Sequence, residues 1–171
     1  MNKIPSLHRE LAEVTLADLI TFNRRRQGEV AKLTIEDYNK ETKLDMKSDV
    51  QAGLSAMERK LCSLFSRLEI RGKHDRVVPI LLTERIQSAL DMLNQNLSDA
   101  GICQSNNFVF AIASSDSFLT GCDVMRKITI QCGATQPTTL TSTNLHKRVV
   151  TVSQILNLKE NELDTHAPSR H

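Results

Sequence analysis

Apolar residues recur along this chain mostly at helical spacing. Leu7, Leu11 and Val14 share one side of a helix with about 3.6 residues per turn, and predict a short amphipathic helix within residues 1–14. Thr15 is placed to cap a second helix whose inward residues are Leu16, Leu19, Ile20 and Phe22. That helix runs into Arg24-Arg25-Arg26. Gly28 interrupts the pattern, Val30 and Leu33 resume it, and Thr34 is placed to cap a turn carrying Ile35, Glu36 and Asp37. Asn39 to Asp49 is charged and reads as a loop, whereas Gln51 to Phe65 predicts a helix with Leu54, Met57, Leu61 and Leu64 inward.

The pattern then changes. Leu68-Glu69-Ile70 and Val77-Val78-Pro79-Ile80 are β-forming runs, and Gly72-Lys73-His74-Asp75 between them supplies turn chemistry. A hairpin with Lys73 at its tip follows, and on this stretch alone a solvated tip lysine is the simpler reading. From Thr83, a third capping candidate, a helix carries Ile86, Leu90 and Leu93 and ends near Gly101. Phe108 to Ile112 reads as a strand and Ala113 to Ser117 as a polar loop. Leu119 to Cys132 is a helix stopped by Gly133, with Val124, Met125 and Ile128 inward. A Pro/Thr-rich linker over Gly133 to Thr141 leads to a helix capped by Ser142 or Thr143, with Leu145, Val149, Val152 and Leu156 inward. The expected class is therefore α+β, mostly helical, with one small hairpin and no internal repeat.

Composition narrows the chemistry. A length of 171 residues suits one domain with a real core. With five Phe, one Tyr and no Trp, the chain lacks the aromatic faces of a single-strand stacking platform, and Tyr38 is the only phenol. A net charge of +2 does not mark a nucleic-acid binder, but Arg24-Arg25-Arg26 and His146-Lys147-Arg148 are local basic knots. Cys62, Cys103, Cys122 and Cys132 show no zinc spacing and read as small buried hydrophobes in a reducing compartment. His8, His166 and His171 give no metal spacing either, so no metal site is expected. No apolar run approaches the roughly 20 residues that span a bilayer, and the N-terminus lacks a signal-peptide core; an intracellular protein is expected.

Cutting and rejoining a phosphodiester through a covalent intermediate requires cations on the nonbridging oxygens, an acid for the departing oxygen, and a nucleophile. Guanidinium forks suit the first role and a hairpin lysine the second. Along this chain stand Arg26-Gln27-Gly28-Glu29 with Leu33 and Asp37, then Gly72-Lys73 leading into Arg76-Val77-Val78-Pro79-Ile80. Thr143-Asn144-Leu145-His146-Lys147 follows, with Thr151 beyond it. That order resembles the catalytic domain of the tyrosine recombinase (integrase) family over roughly Leu16 to Asp164. The family carries R-x-x-E at a helix end, G-K before R-x-V-P-L, and an H-x-L-R-H box with a threonine five residues after its arginine.

The resemblance implies an integrase-type catalytic fold over residues 15–164, after an extension over 1–14 and before a disordered tail over 165–171. It puts Arg26, Lys73 and His146 at catalytic positions, with Arg24, Arg25, Arg76, Lys147 and Arg148 as DNA-backbone contacts. It implies no cofactor, and a nuclear location. The Thr-Asn-Leu box and the segment Asp123 to Lys127 are most similar to Crypton-type transposon recombinases.

The departures bear on activity. The box arginine is His146 here, which is mostly neutral at pH 7 when unperturbed. Arg148 lies about 200° round the helix from it and does not replace it. The family's first box histidine is Thr143. After Leu163 the family continues with a helix, an L-G-H motif and the nucleophilic tyrosine, whereas Asp164 to His171 holds none of these. The expectation is a recombinase domain lacking its C-terminal helices, without cleavage activity, that binds DNA weakly through the backbone. Two alternatives stand beside it. One is a recombinase whose tyrosine comes from a partner chain. The other is a non-enzymatic interaction module or mobile-element fragment, with self-association or a partner helix at the groove its missing end would leave.

Overall fold

The computed structural model describes residues 3–40, 42–43, 55–56, 60, 63–72 and 76–136. Eight elements lie among them: α1 (Ile4–Asn23), α2 (Gln27–Val30), α3 (Ile35–Asn39), β1 (Thr42–Lys43), β2 (Phe65–Arg71), β3 (Val77–Thr83), α4 (Glu84–Gln95) and α5 (Gly121–Gln131). The result is mixed α+β. The segment around His146, with its expected helix, lies outside the described residues, as do Cys62 and the hairpin tip Lys73-His74-Asp75.

One helix replaces the two expected before Asn23. Pro5 sits in the first turn of α1, where its missing N–H costs nothing, and no other Pro or Gly interrupts the run to Asn23. Thr15 therefore caps nothing; it is buried mid-helix. The inward stripe runs through His8, Ala12, Leu16, Leu19 and Ile20, so Leu7 and Val14 face outward at 59% and 52% exposure. Phe22 is also exposed, resting on Phe65 with ring centroids 5.8 Å apart.

The hairpin forms with strands longer than the two short runs suggested. β2 and β3 pair antiparallel from Phe65↔Thr83 to Arg71↔Val77, with Leu68 opposite Ile80. Alternation does the sorting: Leu68, Ile70, Ile80 and Leu82 are buried, while Arg67, Glu69 and Arg71 face out. β1, inside the stretch expected to be loop, pairs antiparallel with β2 and gives the order β1-β2-β3. Of the helix expected over Gln51 to Phe65, most lies outside the described residues. Its last residue instead opens β2, and Leu64 is exposed.

The caps expected of Thr34 and Thr83 form. The Thr34 hydroxyl accepts from the Asp37 N–H at 3.0 Å and the Thr83 hydroxyl from the Ile86 N–H at 3.3 Å. α4 ends at Gln95 and the chain reaches Gly101 through turns. Phe108 to Ile112 buries its middle residues, Val109 to Ala111, but is not a strand. Phe108 bridges Thr34, while Ala111 bridges Phe118 in the following loop, so no single neighbour offers it a ladder. The Asn106 carboxamide donates to the carbonyls of Ser115 and Ser117, both at 2.8 Å, and folds that loop back. Cys122 and Cys132 are exposed on α5 and Cys103 is half-buried, against the expectation of interior thiols, because Val124 and Met125 take the inward face.

Among the described residues a main core joins these parts, with Leu16, Leu19, Ile20, Leu90, Leu93 and Phe110 all fully enclosed, and Ala100, Ile102 and Ala111 form a small second cluster. The end of α1 is tied to the sheet by one side chain. Asn23 accepts from the Leu81 N–H at 2.8 Å and donates to the Leu81 carbonyl at 3.0 Å. Asn23→Ala removes both bonds, so it should lower unfolding free energy by about 1–2 kcal/mol. Urea titration measures that loss, and faster hydrogen exchange at the Leu81 amide localises it.

Candidate functional site

The three arginines occupy the joint between α1 and α2. Arg24 ends α1 with φ +50°, a left-handed conformation uncommon for a side chain with Cβ. That turn redirects the chain, and Arg26, in extended conformation, precedes α2 as its N-cap. Arg24 and Arg26 are exposed and Arg25 is half-buried. Arg26 also closes the short helix through its carbonyl, which accepts from the Glu29 and Val30 N–H groups at 3.0 and 3.3 Å.

Glu29 brings this corner to the hairpin. A Cβ placed on Gly72 would lie 3.1 Å from Glu29 Oε1, so the carboxylate rests against the start of the turn. Gly72 itself is held by its N–H donating to the Arg76 carbonyl at 2.8 Å, and the Val78 side chain leaves no room for a larger residue. Arg76 is exposed on the far side of the turn. Arg71, ending β2, is exposed near α3, where the Lys40 hydrogen bond and charge, with Arg71 adding to them, hold Glu36 below the usual carboxylate range. Lys73, His146, Lys147 and Arg148 lie outside the described residues. Of the predicted set, Arg24, Arg25, Arg26 and Arg76 are among the described residues, and the contact observed between their segments is that of Glu29 with Gly72.

Tyr38 is set apart from that corner. It is 6% exposed, and its hydroxyl donates to Asp91 Oδ1 at 2.6 Å, tying α3 to α4. A buried phenol already committed to a carboxylate has neither the access nor the freedom of a nucleophile.

The antiparallel hairpin and the helices around it match a solved architecture. The fold resembles the catalytic domain of the tyrosine recombinases. A similar structure is the site-specific recombinase XerH bound to palindromic difH substrate in its post-cleavage complex, with a TM-score of 0.50 and 18% identity. The match covers 74% of this chain and 30% of the XerH chain, and at this identity the likeness is one of fold. No protein-family model matches the chain, and no curated protein does.

Two features of the surroundings were not legible in the motifs. α5 opens against α2: a Cβ on Gly121 would lie 2.8 Å from Gln27 Cβ and 2.9 Å from the Gln27 carbonyl oxygen. Further along, Lys127 of α5 bonds Glu13 of α1, which also accepts from Arg9 Nε at 3.2 Å. Glu13 is only 4% exposed, an unusual place for a lone carboxylate between helices. Beside this pair runs a cleft of about 360 Å³ between α1 and α5, bordered by Arg9, Asp123 and Lys127. Among the described residues, no three of His, Cys, Asp and Glu gather as a metal site requires, and no helix is long and apolar enough to cross a membrane.

Burial, the largest influence on Glu13, pushes its pKa up, but the bonds and charges of Lys127 and Arg9 together outweigh it and leave the pKa lowered. A carboxylate lowered in the folded state contributes its stability above the ordinary glutamate value of about 4.3 and loses it as pH falls through the folded value. Glu13→Gln should therefore cost roughly 1–2 kcal/mol at pH 7, less than a fully enclosed pair because both cations are half-exposed or more. Thermal melts of the two proteins from pH 7 to pH 3 should show the gap close on the acid side. A gap that stays constant would rule out the ion pair as its source.

Proposed function

We propose that this chain is a DNA recombination-type domain that grips the phosphodiester backbone and does not cut it. The observation carrying this reading is the contact of Glu29 with Gly72, which joins the arginine corner to the hairpin turn in a recombinase-like fold. In this reading Arg24, Arg26 and Arg76 grip a common stretch of DNA backbone, and Lys73, given its role by the sequence motif alone, completes the clamp. Guanidinium groups suit the role because they stay charged and match two phosphate oxygens at once. In the second basic knot, His146 takes the place of the second clamp arginine, and Lys147 and Arg148 extend the grip. Such contacts hold a duplex in register without reading its sequence.

The reading without cleavage draws on the state of Tyr38. The chain has one tyrosine, and it is the interior Tyr38. Similarity to Crypton-type recombinases, drawn from the Thr-Asn-Leu box and the Asp123 to Lys127 segment, goes with a transposon origin and a nuclear location. Within that segment Lys127 is engaged with Glu13 and Asp123 with Arg126.

Duplex DNA should bind with an affinity that falls steeply with salt, and Arg26→Ala should lower the slope of log K against log[salt] by about one unit. Fluorescence anisotropy from 25 to 300 mM salt checks both. Binding that ignores salt, or none at the low end, would sink the proposal. A nicked duplex should trap no phosphotyrosyl adduct; an adduct formed only with a tyrosine-bearing partner chain would favour the reading in which the nucleophile comes from elsewhere.

A second reading, as a self-associating interaction module, draws on α1. Ile4, Leu7, Leu11 and Val14 have the spacing of a helix-pairing seam, and Ile4, Leu7 and Val14 are exposed while Leu11 is half-buried. The seam is about 15 Å long, so a two-fold contact with a second copy would be weak and concentration-dependent. Sedimentation at rising concentration should then show a dimer that Leu7→Glu abolishes; a monomer throughout would discard this reading.

A further inference from the structure

The first turn of α2 sits in a vice that α5 closes. Gly121 lies directly on Gln27, the residue after Arg26, and the atoms it meets include the Gln27 carbonyl oxygen, which is part of the α2 backbone and cannot swing away. That same oxygen accepts from the Ala31 N–H at 3.0 Å, so moving it would open α2. The Thr120 side chain caps nothing at this end of α5, so contact with α2, rather than a capping bond, fixes where α5 begins. The second fixing point is Lys127 on Glu13, about 9 Å further along the helix axis. Together with the apolar packing of Val124 and Met125, these two contacts hold the position and the tilt of α5, and α5 in turn bears on the residue next to Arg26.

We propose that Gly121 and Glu13 are positioning residues for the phosphate clamp: they seat α5 so that Arg26 is presented to the DNA backbone. Neither touches DNA. Gly121 acts by its lack of a side chain, which lets α5 approach to backbone contact, and Glu13 by holding Lys127 so that the approach is made at one angle. This inference rests on the backbone-binding reading above.

Simple electrostatics and positioning predict opposite signs for one substitution. Glu13→Gln removes a negative charge, which by charge alone strengthens binding to DNA. As a positioning residue, its loss should instead weaken binding about threefold to tenfold and lower the salt slope by about one contact, the one Arg26 makes. Gly121→Ala leaves the charge unchanged and should do the same, because the methyl group has to push α5 off α2. A merely structural role would reduce the folded fraction and the apparent affinity while leaving the slope as it was. The measurement is anisotropy with the full chain and an unrelated duplex across salt, together with amide chemical shifts of Arg26 to Val30 in the DNA-free protein. Tighter binding by Glu13→Gln, or weakened binding with an unaltered slope, overturns the proposal. If the unsubstituted chain binds no DNA, the functional reading fails by itself. The seat is then judged on the amide shifts, which should move in Glu13→Gln even where Gly121→Ala does not fold, and which, if unmoved, refute it.

Discussion

The geometry of this protein turns on a carboxamide laid against a strand edge. β3 is the last strand of its sheet, and an edge strand presents N–H and carbonyl groups without partners. Asn23 satisfies both groups of Leu81, much as another strand would. Pro79, two residues back on the same outward side, has no N–H to expose. Because Asn23 is the last residue of α1, the bond also fixes where the following arginines begin. Arg24, in its left-handed turn, then carries the chain away from the helix axis and toward the hairpin.

From that joint the remaining contacts build outward by two kinds of force. One is steric: Gly72 and Gly121 each admit an approach that a Cβ would block, the first by Val78 and Glu29, the second by Gln27. The other is electrostatic. Glu13 draws Lys127 across from α5, and Tyr38 reaches Asp91 across from α3. Buried polar groups of this sort cost heavily when unpaired and so discriminate one packing from its neighbours, which apolar contacts among Leu16, Leu90 and Phe110 do less sharply.

The functional reading depends on both. The proposed clamp of long side chains would be only as well formed as the backbone beside it, the four residues of α2, which Glu29 brings to Gly72 and Gln27 to Gly121. With fold likeness at 18% identity, the case for DNA rests on how these particular residues are held.

Much of this was written in the chain. Periodicity located α4 and α5, Thr34 and Thr83 announced their helices, Gly133 marked an ending, and the two β-forming runs on either side of Gly72 announced the hairpin. The arginine corner and the turn were visible as motifs in order, because local chemistry fixes turns and caps. What the sequence could not settle were choices made between distant segments. Leu7 and Val14 have inward spacing but lie outside, since His8, Ala12 and Leu16 pack against the core and a helix cannot bury two stripes on one neighbour. Phe108 to Ile112 has strand composition but no strand, since its bonding partners stand on two different loops. Glu13 with Lys127, and Gly121 with Gln27, meet across gaps of about a hundred residues. No local pattern encodes such a meeting, because it exists only once the core has brought the helices together.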